Sequence, residues 1–221
     1  MPETLLFDVN ETLLDLRALR PHFERLFDDG QVMAEWFGLM LRHSLVATVT
    51  RRYRPFDALG KDALAMTAKK HGLDLEAAAI EDVVGEMARL PPHPDVIPAL
   101  TRLREAGFRM ATLTNSAPPV LFAQLEHAGL TDFFERQFSV EAVGLFKPAP
   151  EPYRYAAQQL GEPIENVRLI AAHDWDVTGA IRAGAKGAFV ARKGMVLGRV
   201  GEIPDLIGPD LLAITNSLSG R

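Results

Sequence analysis

Cysteine is absent from this 221-residue chain. That excludes disulfides, thiolate metal ligands and a cysteine nucleophile. No run of about 18 apolar residues occurs, so no membrane-spanning helix is expected. The N-terminus lacks a basic start followed by a long apolar core, so no signal peptide is expected and the chain is read as cytoplasmic. Long basic blocks are missing too, and the net charge is −5. Nucleic acid is therefore not an expected partner. There is no internal repeat and no low-complexity tract. What is present is a 48% hydrophobic composition, enough to fill the core of one large domain or of a core carrying a smaller insertion.

The chain is organised around Leu5-Leu6-Phe7-Asp8-Val9-Asn10-Glu11-Thr12-Leu13. A short apolar run ends in a carboxylate, and a polar turn follows with a hydroxyl four residues after the acid. Such a run reads as a buried strand over residues 3–8. Asp8 then stands at its carboxyl end, where open α/β sheets place their ligands. From Leu13 to Leu90 apolar residues recur at helical spacing with no strand signal. Helices are expected over 13–27, divided at Pro21, and over 31–49. After a loop at 53–59, punctuated by Pro55 and Gly60, further helices are expected over 61–71 and 75–90. Beyond Pro91-Pro92-His93-Pro94, helix and strand alternate. Helices are expected at 95–106, from Pro118 to His127, up to Leu160 and up to Ala183. Strands are expected at 108–113, 138–143, 167–172 and 186–191. This pattern predicts right-handed crossovers and a parallel sheet. The expected architecture is an α/β, Rossmann-like core (1–14 and 92–221) with an inserted all-helical cap (15–91).

Each expected core strand ends in polar residues. Asp8, Asn10 and Thr12 follow the first, and Thr114 and Asn115 close the second. Lys147 precedes a helix, and His173, Asp174 and Asp176 follow the fourth. In a parallel sheet these ends share one edge. Asp8 can act as a nucleophile if one of its oxygens is held and the other is free to attack. Lys147 can hold it by charge and hydrogen bonding, Thr12 and Thr114 can donate hydroxyl protons, and Asp176 can activate water. Each residue alone also has a plain structural reading: a surface lysine, turn chemistry at Thr114-Asn115, a helix cap at Asp176. Their joint placement favours function.

The stretches Phe7 to Leu13, Leu113-Thr114-Asn115, Phe146-Lys147-Pro148 and Ala171 to Asp176 with Gly179-Ala180 resemble the motifs of the haloacid dehalogenase superfamily. Trp36, Tyr53 to Phe56, Tyr153 and Trp175-Asp176 resemble its type II (L-2-haloacid dehalogenase) branch. The resemblance covers nearly the whole chain. It implies a hydrolase of carbon–halide bonds that forms an aspartyl ester on Asp8. Lys147 would orient Asp8 and Asp176 would assist water. Asn10, Thr12, Phe37, Thr114, Asn115, Tyr153, His173 and Trp175 would line the 2-haloalkanoate site. It implies no cofactor and a homodimer.

The superfamily's phosphohydrolases carry a second Asp two residues after the nucleophile, as acid/base and Mg²⁺ support. Here that position is Asn10, which cannot protonate an alkoxide or lend a metal its charge. The usual fourth-motif acid falls at Ala172, with Asp174 displaced by two. Halide leaves without a proton, so these losses favour C–halogen over P–O cleavage. The chain also departs from the dehalogenase branch. Phe37 replaces the arginine that follows the cap tryptophan, Thr114 replaces a serine, and Ala171 and His173 replace a serine and an asparagine. Arg42 or His43 on the cap helix are candidates for the missing cation. A Mg²⁺-dependent phosphohydrolase and a non-catalytic binding module on the same fold stay open as alternatives.

Overall fold

The computed structural model describes residues 3–220; positions 1, 2 and 221, which fall in the expected core segments, lie outside the described residues. Six parallel strands form one sheet: β1 (Thr4–Phe7), β2 (Met110–Thr114), β3 (Arg136–Ser139), β4 (Val167–Ala171), β5 (Lys186–Val190) and β6 (Leu206–Gly208). Their order is β3-β2-β1-β4-β5-β6. Every residue of β1, β2 and β4 is buried, as expected for strands covered by helices on both faces. Leu5 pairs with Met110 on one side and Arg168 on the other, so β1 lies at the centre. The strand order reverses there, which opens a crevice at the carboxyl ends of β1, β2 and β4.

Between β1 and β2 the chain is helical. A short 3₁₀ turn (Leu16–Leu19) leads into α1 (Arg20–Phe27), α2 (Val32–Val49), α3 (Phe56–Lys70) and α4 (Ala77–Gly85), and a second 3₁₀ turn (Glu86–Arg89) ends the block. Pro21 occupies the first turn of α1, where its missing N–H costs nothing. The chain leaves and re-enters the core at one place, where Leu14 bridges Pro92 and the Asp15 amide donates to the Pro91 carbonyl. The fully buried Trp36 anchors the block. Its ring packs 5.2 Å from Phe23, and its Nε1 donates to the Gly60 carbonyl at 2.9 Å.

α3 begins five residues before the expected 61, and Gly60 lies inside it rather than in a loop. A Cβ at Gly60 would come 3.1 Å from the Met40 side chain. The glycine is there so that α3 can approach α2, a tertiary reason that local punctuation does not reveal. β3 also runs earlier than expected, and residues 140–142 form a 3₁₀ turn.

The remaining helices are α5 (Val96–Glu105), α6 (Pro118–His127), α7 (Pro150–Leu160), α8 (Asp174–Ala183) and α9 (Leu211–Leu218). Among the described residues no helix is long and apolar enough to cross a membrane.

Candidate active site

Asp8 directly follows the last residue of β1, with its amide donating to the Ile170 carbonyl of β4 at 3.1 Å. The turn behind it folds back, Leu13 N–H reaching the Val9 carbonyl at 2.9 Å. This return brings the Thr12 hydroxyl to Asp8 Oδ2, to which it donates at 2.6 Å. Thr12 Oγ1 itself accepts the Ala172 amide at 2.9 Å, so the end of β4 fixes the hydroxyl that holds Asp8.

Lys147 enters from the turn before α7. Its Nζ donates to Asp8 Oδ1 at 2.7 Å, to Asp176 Oδ2 at 2.6 Å and to the Leu113 carbonyl at 2.9 Å. These use the full donor capacity of an ammonium. Lys147 is 1% exposed. Burial alone would lower its pKa, but the charges of Asp176 and Asp8 outweigh it and raise it, so the lysine is held as a cation.

Asp176 lies in the first turn of α8 and is fully buried. Its Oδ1 accepts the Tyr153 hydroxyl at 2.6 Å. Burial raises the Asp176 carboxyl against the pull of Lys147, the direction that suits a group meant to take a proton. α7 and α8 meet closely enough for this contact because Gly179 has no side chain. A Cβ there would stand 2.7 Å from the Tyr153 hydroxyl and 2.5 Å from Pro148.

Asn115 Oδ1 accepts the Lys147 amide at 3.2 Å, and among the described residues its Nδ2 has no acceptor. Thr114 Oγ1 accepts the Ser116 amide, so this hydroxyl shapes the turn after β2. The Asn10 amide is committed elsewhere. Its Oδ1 accepts from Gln124 of α6 at 2.9 Å, and its Nδ2 donates to Ser116 at 3.2 Å.

Between α2 and the amino end of α8 lies a crevice with two adjoining cavities. The larger, about 410 Å³, is walled by Leu16, Met33 and Phe37 from the helical block and by Glu11, His173 and Trp175 from the core. The smaller, about 180 Å³, is lined by Arg42, Ser44, Lys147 and Trp175. Gly38, Leu41 and Trp175 wall both. His173 stacks on Trp175 at 5.1 Å and tilts against Phe37 at 6.4 Å. Burial lowers its pKa, which keeps the ring neutral near pH 7. Of the two cap residues considered for the missing cation, Arg42 lines the smaller cavity, whereas His43 lies 3.5 Å from Asp62.

Glu11 was not singled out from the sequence. Its backbone is left-handed (φ 63°), uncommon for a side-chain-bearing residue. Its Oε2 lies 3.2 Å from His173 Nε2. Burial, then the charges of Asp8 and Asp15, push its carboxyl up to about 7. The only hint in the sequence was an acid in the same turn as Asp8.

A family model described as haloacid dehalogenase-like hydrolase matches residues 2–184. The chain belongs to that family. Among its relatives, the (S)-2-haloacid dehalogenase of Pseudomonas sp. (strain YL) is 30% identical over 90% of this chain and 87% of its own length. The (S)-2-haloacid dehalogenase of Xanthobacter autotrophicus is 32% identical over 87% of this chain and 76% of its own. A solved structure of L-2-haloacid dehalogenase from Xanthobacter autotrophicus, with chloropropionic acid covalently bound, superposes with a TM-score of 0.93. It is 28% identical and is covered, like this chain, over 100% of its length. In this member of the family the sheet edge gathers Asp8, Thr12, Lys147 and Asp176 as the strand-end motifs led one to expect, with Tyr153 behind Asp176.

Proposed function

We propose that the protein is a metal-independent (S)-2-haloacid dehalogenase in which Asp8 is the nucleophile. The carrying observation is the single buried ammonium of Lys147, bonded at once to Asp8 and Asp176. An Asp8 oxygen attacks C2 of the 2-haloalkanoate, and halide leaves with the electrons of the carbon–halogen bond. The result is an aspartyl ester with inverted configuration at C2. Asp176 then takes a proton from water, which attacks the Asp8 carboxyl carbon. Charge develops on the Asp8 oxygen outside the ester; Lys147 Nζ donates to one Asp8 oxygen and the Thr12 hydroxyl to the other, so the oxygen outside the ester keeps a donor. The ester bond breaks, the proton held by Asp176 passes to the departing alkoxide oxygen, the new Asp8 carboxyl gives its remaining proton to solvent, and a 2-hydroxyalkanoate departs. The free Nδ2 of Asn115 is suited to the substrate carboxylate, and Phe37 and Trp175 form the apolar wall facing its alkyl group. The names of the relatives support this substrate class.

The donors do not suit the Mg²⁺ chemistry of the family's phosphohydrolases. Asn10, which stands where those enzymes carry their second acid, is an amide tied to Gln124 and Ser116. Among the described residues no group of three or more Asp, Glu or His is arranged to hold a metal ion.

The reading includes a cap over residues 15–91, a cytoplasmic location and a homodimer. Exposed Leu45, Val46 and Val49 on α2 offer an apolar surface for the dimer, and analytical ultracentrifugation measures it. The activity is tested by halide release from (S)-2-chloropropionate after EDTA treatment. Release that survives EDTA and is lost in Asp8→Asn supports the reading. Release that requires Mg²⁺, or that persists in Asp8→Asn, overturns it.

A further inference from the structure

The family chemistry gives no work to Glu11, yet its carboxyl stands on the crevice wall without a hydrogen-bond donor among the described residues. Its side chain is 19% exposed and it walls the 410 Å³ cavity. Among the described residues neither of its carboxyl oxygens accepts a hydrogen bond; the one near polar neighbour is His173, 3.2 Å from Oε2. A half-buried carboxylate without donors is costly. The chain bears a second cost at this residue, because φ 63° is readily adopted by glycine and not by glutamate. Two independent unfavourable features at one residue on a cavity wall point to a ligand that repays them.

Most of the rest of that cavity is apolar, lined by Leu16, Met33, Phe37 and Leu41 among others, and Asp174 adds a second carboxylate to its wall. An anionic group is disfavoured beside Glu11. The substrate carboxylate therefore belongs at the other end of the crevice, where Lys147 and Arg42 line the smaller cavity. That orientation leaves the substituent on C2 pointing into the larger cavity.

We propose that Glu11, backed by His173, is a specificity-determining residue that selects substrates whose C2 substituent carries a hydrogen-bond donor, a hydroxyl or an ammonium, over those with a plain alkyl group. This rests on the crevice being the substrate site, as in the dehalogenase reading. A donor at C3 meets the free carboxyl oxygens while its methylene stays against Phe37. A methyl of the same size leaves Glu11 unpaired, the asymmetry that makes sites built for a hydrogen bond reject analogues lacking it.

The test is calorimetric binding of three nearly isosteric hydroxy acids at pH 8, above the pushed-up Glu11 value of about 7, so that the carboxyl is ionised. They are glycerate, isoserine and 2-hydroxybutyrate, which differ only in a terminal hydroxyl, ammonium or methyl. Glycerate, isoserine or both are expected to bind about tenfold or more tightly than 2-hydroxybutyrate, the low end for a hydrogen bond to a charged group. Glu11→Gly, which suits the backbone angle, is expected to bring the three within about twofold. Glu11→Gln is expected to abolish the ammonium preference more completely than the hydroxyl preference. Equal binding of all three ligands by the unaltered protein, tighter binding of 2-hydroxybutyrate, no binding of any of them, or an unchanged preference in Glu11→Gly each overturn the proposal. Halide release is measured separately. If it fails while the donor preference holds, the dehalogenase reading falls and the assignment of Glu11 stands.

Discussion

Lys147→Met removes the one cation shared by two buried carboxylates. In the folded protein Lys147 Nζ lies 2.7 Å from Asp8 and 2.6 Å from Asp176, with all three side chains nearly or fully excluded from solvent. Breaking a buried pair by deleting one partner costs about 3–5 kcal/mol, because the other charge is left uncompensated. Here two charges are left, so a loss of about 4 kcal/mol or more is expected in urea unfolding at pH 7. The two carboxylates then relieve their repulsion by sharing a proton, which takes the nucleophile out of its ionised form. Separately, removing one donor to the charge that develops on Asp8 costs about 10²–10³ in rate, so halide release is expected to fall by at least about a hundredfold. Adding Asp176→Asn to Lys147→Met removes one of the facing charges. The double variant is expected to regain about 2 kcal/mol of stability, set by the cost of one unpaired buried charge, with no gain in activity. A single variant that loses less than about 1 kcal/mol, or a double variant less stable than the single, refutes the reasoning.

Three further outcomes follow from the same geometry. Tyr153→Phe deletes the donor to Asp176 Oδ1 and is expected to cost about 1–3 kcal/mol. It should slow ester hydrolysis more than ester formation, so mass spectrometry should find Asp8 carrying substrate; an unmodified Asp8 during turnover contradicts this. Glu11 is held at about 7 by burial and by Asp8 and Asp15, against an ordinary 4.5, with neutral His173 facing it. The folded state thus binds this proton more tightly than the unfolded chain. The associated stability is fully present below about 4.5 and is lost as pH rises through about 7, on the order of 3 kcal/mol. Glu11→Gln should flatten that slope, and parallel pH–stability curves for the two proteins count against it. Gly179→Ala places a methyl 2.5 Å from Pro148 and 2.7 Å from the Tyr153 hydroxyl. Overpacking of this kind costs about 1–3 kcal/mol, and a Tm equal to the parent's contradicts the packing argument.

What the sequence disclosed was whatever local pattern encodes. Strands that end in a polar turn placed Asp8, Thr12, Asn115 and Asp176 at one sheet edge, because parallel connectivity leaves them nowhere else to go. Lys147 was legible for the same reason. The roles of Asn10 and Glu11 were not legible. Asn10 is locked by Gln124, 114 residues away in the chain, a contact that no spacing reveals. The environment of Glu11 arises from Asp8, Asp15 and His173 converging in three dimensions. The early start of α3 was hidden by Gly60, which resembles a helix stop and serves instead as a point of close approach to Met40. The identity of Phe37 was plain, but its packing against Trp36 and His173 was not.

The central claim is that a water oxygen enters Asp8, not the substrate directly. The most direct measurement is a single turnover of (S)-2-chloropropionate by excess enzyme in ¹⁸O-water, followed by mass spectrometry of the Asp8 peptide and of the product. The account predicts that the heavy oxygen appears in Asp8 and that the hydroxyl oxygen of the lactate is light, having come from the Asp8 carboxylate. Heavy oxygen in the lactate with an unlabelled Asp8 would mean that water attacks the substrate itself, and would contradict the account.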